Sequence, residues 1–353
     1  MVFDETDLNS ENIDSLRERN KFHERLWFTD ETTEDSGTKR RKVTPERKER
    51  MDRDLERLGD LFDGTSVRWQ LDGAVNISLM KGEYIGAHKD LDLTVDPDDL
   101  QELERHLFSK GYGLFLSRIT KMKPSGGPEA MQWEWATVDE LRATPENIMI
   151  VAIDKEGNLR ENEPLNCIDL HLIKRGPNGE PLGFYGVALP EKWFVPRPIE
   201  FNGRKINLSH PAKVAYFKLF SARQYDAKDL EELAETGSLS EEDMRDIKAA
   251  VDGGFENRRM GAEIIINRIV GKISNEMQEN EILAVFLNDQ EASRATETER
   301  GRAMLQKVAV AIAKQKDRTP ENIKNIIFDV LDWDSEEDRM QKQIQSLHKI
   351  ISK

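Results

Sequence analysis

At 353 residues the chain is too long for one ordinary core and long enough for two domains and a tail. Hydrophobic residues at 37% exclude a wholly disordered chain, and the single cysteine, Cys167, excludes an internal disulfide framework or a cysteine-built zinc site. A net charge of −15 argues against a general nucleic-acid coat or an anionic-membrane binder, since both need a local excess of Lys and Arg.

No run approaches the roughly 18 apolar residues that span a bilayer. Met1–Asn12 is acidic and lacks the apolar centre of a signal peptide, so a cytoplasmic protein of a reducing compartment is expected. Residues 1–43 read as a charged, mostly flexible leader with room for one short helix, carrying a short apolar cluster at Phe22, Leu26, Trp27 and Phe28. Lys39-Arg40-Arg41-Lys42 reads as a solvated charge run before a helix.

Thr44-Pro45 supplies an N-cap and a first helical residue. Met51, Leu55, Leu58 and Phe62 then give the helix one apolar face, and it should end near Gly64. Val67–Leu71 follows as a short strand, and Gly73 turns the chain into the apolar segment Ala74–Met80. A second strand is expected over His88–Val95, and a helix from Asp98 to Lys110 closed by Gly111.

From Tyr112 to Asn207 the pattern is β-rich, with strands at Met131–Val138, Ile148–Ile153, Leu165–Ile173 and Leu182–Val187. Trp133 and Trp135 alternate with polar residues, and packing is favoured for them over stacking on a base. After Ser209 the chain turns helical, with breaks near Gly237, Gly253-Gly254, Gly271 and Thr319-Pro320. In the last stretch, Ile264–Ile266, Ile269, Val270, Met304, Leu305, Val308 and Ile312 are dense enough for the core of a small bundle. The expected plan is a leader (1–43), an α/β domain (44–208) and a helical domain (209–353).

The informative residues are acids. On a strand Asp90 and Asp92 of His88-Lys89-Asp90-Leu91-Asp92-Leu93 project from one face, while Leu91, Leu93 and Val95 enter the core. Their α-carbons then lie about 6.6–6.8 Å apart, close enough for both carboxylates to reach one divalent ion. A third acid is expected from a neighbouring strand, and Asp169 in Cys167-Ile168-Asp169-Leu170-His171 is the best placed. An acid in the middle of an apolar strand is costly to bury without a metal, a base role or a charged partner. An Asp-x-Asp alone is more often a turn or a solvated face. The combination of strand, glycine turn, helix, Asp-x-Asp strand and distant Asp strand raises its weight.

That combination resembles the DNA polymerase β-type nucleotidyltransferases. Trp69–Gly73 followed by His88–Leu93 looks like the lincosamide and aminoglycoside adenylyltransferases, as does Ile168-Asp169-Leu170-His171. The resemblance implies an α+β fold with a mixed sheet and a C-terminal helical domain. It implies Mg²⁺ on Asp90 and Asp92 in a two-ion site, with Asp169 as third ligand and base. It also implies a nucleoside triphosphate such as ATP at Gly73 and Ala74.

A further stretch, Lys218-Leu219-Phe220-Ser221 with Asp226-Ala227-Lys228-Asp229, is similar to abortive-infection and toxin–antitoxin nucleotidyltransferases. By that likeness Lys218 contacts phosphate, Asp229 supports the site, and an antitoxin or a second copy is a partner for the C-terminal helices. A helix with solvent-facing Lys and Asp beside Val214, Phe217 and Phe220 is the plainer reading of the same residues.

The likeness covers roughly residues 66–235 and departs from the pattern at Ala74, where a second glycine or a hydroxyl is usual. Expected is transfer of a nucleoside monophosphate to a hydroxyl on a small molecule, RNA or protein. The alternative is a nucleotide-binding or regulatory protein that keeps the fold without turnover.

Overall fold

The computed structural model describes residues 10–26, 42–88, 90–122, 128–145, 147–160, 165, 167–221, 225–292 and 299–352. Trp27, Phe28, Lys89 and residues 39–41 of the basic run lie outside them. The described chain divides into two compact units. The first holds residues 1–182, 188–247 and 347–353, and the second holds 183–187 and 248–346. The division therefore falls after residue 247, not at the 208/209 boundary drawn from the sequence.

The first unit is a mixed nine-stranded sheet in the order β1-β5-β4-β6-β7-β3-β2-β9-β8. In chain order the strands are β1 Phe22–Leu26, β2 Trp69–Leu71, β3 Asp92–Val95, β4 Tyr112–Met122 and β5 Pro128–Trp135. They continue with β6 Ile148–Ala152, β7 Cys167–Leu172, β8 Arg197–Phe201 and β9 Arg204–Leu208. Parallel pairing joins β3 to β7 and β2 to β9, and the other neighbours are antiparallel.

The residues expected to form a flexible leader contribute to this unit. Helix α1 (Ser10–Arg19) buries Ile13 and Leu16 in one cluster with Phe115, Trp133, Trp135 and Val151. β1 pairs along β5. One short helix was expected here, but charge density concealed its place and the strand after it, because few apolar positions carry their burial. Trp133 and Trp135 are core residues, at 4% and 1% exposure.

Helix α2 (Pro45–Phe62) begins as expected, with the Thr44 hydroxyl accepting from the Arg47 N–H and Pro45 in the first turn. Its Leu55, Leu58 and Phe62 pack on Trp69, Leu71, Leu93 and Val95. Leu100, Leu103 and Leu107 of α4 (Leu100–Ser109) join the same cluster. The apolar segment after Gly73 is helix α3 (Gly73–Lys81).

Two expected strands change. The strand placed over His88–Val95 begins only at Asp92, and the Leu182–Val187 strand is a 3₁₀ turn at Phe184–Gly186. There the left-handed backbone at Tyr185 and Gly186 reverses the chain. Asn202-Gly203, both at positive φ, forms the two-residue hairpin joining β8 to β9. That turn signal was present in the sequence.

Helices α6 (Pro211–Ser221) and α7 (Asp226–Glu235) belong to the first unit. Helix α8 (Glu241–Val270) runs through Gly253-Gly254 without breaking. Val251 and Phe255, buried on either side, outweigh the roughly 1 kcal/mol that each glycine costs a helix.

The second unit has its own apolar core. Ile266, Ile269 and Val270 pack with Val308 and Ile312 of α10 (Glu299–Ala313) and with Ile323 and Ile327 of α11 (Pro320–Leu331). Ile264 is 63% exposed and stands outside that core. Among the described residues no helix is long and apolar enough to cross a membrane.

Leu93 is fully buried between β2 and β7. Leu93→Ala should lower stability by about 2–5 kcal/mol, read as a fall in the urea midpoint.

Candidate active site

Three strands carry the site, and side-chain alternation sorts their residues. Trp69 and Leu71 of β2, Leu93 and Val95 of β3, and Ile168 and Leu170 of β7 enter the core. Gln70, Asp92, Thr94, Asp169 and His171 therefore share the other face. Asp92 is the register partner of Asp169, and Thr94 that of His171, across the parallel β3–β7 pair. Neighbouring strands lie about 4.8 Å apart, so the two acids stand side by side.

Asp90 precedes the ladder and is exposed, while Leu91 is 6% exposed and packs in the core. The Leu91 carbonyl accepts the Asp169 N–H at 2.9 Å. Asp90 and Asp92 thus flank a buried leucine, as the sequence implies, although Asp90 sits on the approach to the strand. Helix α2 holds that approach: the Arg50 guanidinium donates to the His88 carbonyl at 3.2 Å, and the Tyr84 hydroxyl donates to Asp52 at 2.7 Å.

The glycine turn comes up against these acids. The Asp72 N–H donates to the Asp92 carbonyl at 2.8 Å, and Gly73 follows at φ +70°. A Cβ on Gly73 would lie 2.5 Å from Asp92 Oδ2. Position 73 therefore needs glycine twice over, for its conformation and for the nearness of a carboxylate. Ala74 stands next, in the first turn of α3.

Side-by-side carboxylates repel unless a cation joins them. His171 supplies a positive charge there when protonated, its Nε2 lying 3.7 Å from Asp92 Oδ1. The nearness of Asp92, followed by the charges of Asp72 and Asp169, raises its pKa above the ordinary histidine value, against partial desolvation by its neighbours. Among the described residues no three carboxylate, imidazole or thiolate groups are gathered as ligands about one point. The backbone register nevertheless fits two carboxylates to one ion, with Asp90 next in the chain.

A second cation escaped the sequence reading. Lys213 of α6 is 2% exposed, and its ammonium lies 3.0 Å from Asp72 Oδ1 and 3.1 Å from Oδ2. It also donates to Gln70 Oε1 at 2.9 Å and to Ser209 Oγ at 3.1 Å. Burial pulls its pKa below the ordinary lysine value, and Asp72 opposes that shift. Ser209 and Thr94 donate the remaining hydroxyl bonds to Asp72. The signal in the sequence was a lysine within the apolar run Pro211-Ala212-Lys213-Val214-Ala215-Tyr216, whose other members are buried.

Lys218, the lysine singled out from the sequence, is placed with Asp229, its expected companion. Its ammonium lies 2.5 Å from Asp229 and 3.2 Å from Asp226. Asp229 is fully buried, so as placed this trio ties α6 to α7.

Residues 54–127 match the family model described as Aminoglycoside-2''-adenylyltransferase. This match supports a place in the nucleotidyltransferase superfamily. The match takes in the Gly73 turn and both Asp90 and Asp92; Asp169 lies beyond it.

Among solved structures, the chain is similar to a lincomycin-bound lincosamide antibiotic adenylyltransferase, at 17% identity and a TM-score of 0.31. That match covers 54% of this chain and 97% of the other. It is also similar to ANT(2'')-Ia in complex with adenylyl-2''-tobramycin, at 14% identity over 57% and 95% of the two chains, with a TM-score of 0.32. A nucleotidyltransferase-like protein from Paracoccidioides brasiliensis gives 11% identity, 61% and 91% coverage, and a TM-score of 0.34. Superpositions this loose add no weight to the nucleotidyltransferase reading. No curated protein matches the chain.

The His171 shift gives a direct check on the electrostatics around the paired acids. In metal-free protein its imidazole should titrate above the ordinary value of about 6.5, and Asp92→Asn should bring it back down. Proton NMR of the ring resonances across pH 5–9 reads both.

Proposed function

We propose that this chain moves a nucleoside monophosphate from a nucleoside triphosphate to a hydroxyl acceptor, with Asp90, Asp92 and Asp169 holding Mg²⁺. The observation that carries the reading is the pairing of Asp92 with Asp169 across β3 and β7, with Gly73 brought against Asp92. Hard divalent ions take carboxylate oxygens, and side-by-side acids on rigid strands supply them without costly reorganisation. Bound there, Mg²⁺ would neutralise phosphate charge and polarise the phosphoryl oxygens.

The chain's own residues do the rest. Gly73 and the first turn of α3 receive the triphosphate, because a glycine turn lets phosphate approach the backbone and a helix N-terminus favours an anion. Asp169 orients the acceptor hydroxyl and takes its proton as the new oxygen–phosphorus bond forms at the α-phosphate. The bond to pyrophosphate breaks on the opposite side. Lys218 and Asp229 support the site at one remove, by holding α6 and α7 together.

A cationic small acceptor is the class we favour. A net charge of −15 draws polycations, and the matching family takes its name from aminoglycosides.

Transfer from each labelled nucleoside triphosphate, with Mg²⁺, against pooled RNA, protein and cationic antibiotics tests the reading. Labelled product is expected on the antibiotic pool. Asp90→Ala and Asp92→Ala should each cut it by more than about 100-fold, beyond the loss typical of groups that merely orient a metal ligand. Nucleotide binding without product from any pool would mark a binding protein and end the catalytic reading.

A further inference from the structure

Asp72 occupies the N-cap of α3 and does not cap it. Aspartate is among the best N-cap residues, because its carboxylate accepts from the first-turn N–H groups. At Asp72 the backbone is extended, as an N-cap requires (φ −108°, ψ −169°), yet the side chain makes no capping bond. Both oxygens are instead drawn away, by Lys213 at 3.0 and 3.1 Å and by the hydroxyls of Ser209 and Thr94.

The lysine is held as firmly as the acid. Asp72, Gln70 Oε1 and Ser209 Oγ take its three N–H bonds, and the Phe194 ring centre lies 5.1 Å from its nitrogen. With Gln70, Ser209 and Lys213 all buried, the acid has a fixed seat away from the helix. Replacing a buried pair of this kind with apolar residues is often neutral or stabilising, so stability alone gives little reason for it.

We propose that Lys213 is a positioning residue that holds the Asp72 carboxylate off the first turn of α3, leaving those N–H groups for the nucleotide's triphosphate. The inference rests on the nucleotidyltransferase reading above and adds a residue to it. A capping carboxylate would fill the donors that phosphate needs and set a negative charge against it. The Asp72 backbone N–H ties the turn to Asp92 while its side chain is seated elsewhere.

The test is binding of a non-hydrolysable nucleoside triphosphate with Mg²⁺, measured by calorimetry on the full chain. Lys213→Met frees Asp72 to cap, and affinity should fall by about 10-fold or more, the scale of a lost charge-assisted bond set. In transfer assays KM for the nucleotide should rise more than kcat falls. The double variant Asp72→Ala with Lys213→Met has no carboxylate left to cap, and its affinity should return to within about 3-fold of the parent's.

Parent affinity in K213M, or a double variant as weak as K213M, would overturn the proposal. Should K213M fail to fold, the double variant decides alone: near-parent affinity supports the proposal and a loss beyond about 10-fold overturns it. A parent protein that binds no nucleoside triphosphate at all would instead bring down the nucleotidyltransferase reading beneath it.

Discussion

The parallel register that sets Asp92 beside Asp169 is the constraint on which the site depends. It fixes two negative charges about one strand spacing apart on a rigid sheet, with Leu93 and Leu170 buried behind them. A one-residue slip of either strand would send its acid into the core and its leucine to the cleft. The apolar packing of β3 and β7 therefore protects the chemistry. Side-chain placement at the site is a consequence of what the core excludes.

Charge is managed around that pair in two different ways. On the open side His171 stands beside Asp92 and remains exposed, so solvent and ligands can reach it. On the buried side Asp72 is matched by Lys213, Ser209 and Thr94, and these three partners are withdrawn from water. Two acids on adjoining strands thus stand in opposite settings. Asp92 keeps an exposed edge, and Asp72 is committed to the protein.

Much of this was legible in the sequence wherever apolar periodicity was strong. Met51, Leu55, Leu58 and Phe62 gave the helix that covers the core, and the alternation of Ile168, Asp169, Leu170 and His171 placed the third acid on its strand. Leader residues were harder, because α1 buries only Ile13 and Leu16 among its apolar side chains, and charged neighbours masked the pattern. The turn at Phe184–Gly186 failed for the opposite reason. Its aromatic residues suggested a strand, and backbone conformation at Tyr185 and Gly186 decided otherwise. Lys213 could not be found by spacing at all, since its partners Gln70 and Asp72 lie some 140 residues earlier in the chain.

The central claim is that Asp90, Asp92 and Asp169 together hold divalent metal. A crystal structure of the protein with Mn²⁺ and a non-hydrolysable nucleoside triphosphate tests it most directly, because manganese can be located by its anomalous scattering. The account predicts anomalous density bonded to the Asp92 and Asp90 carboxylates, with Asp169 in the same shell and the triphosphate at the Gly73 turn. Manganese bound elsewhere, or a nucleotide seated away from these three acids, would contradict it.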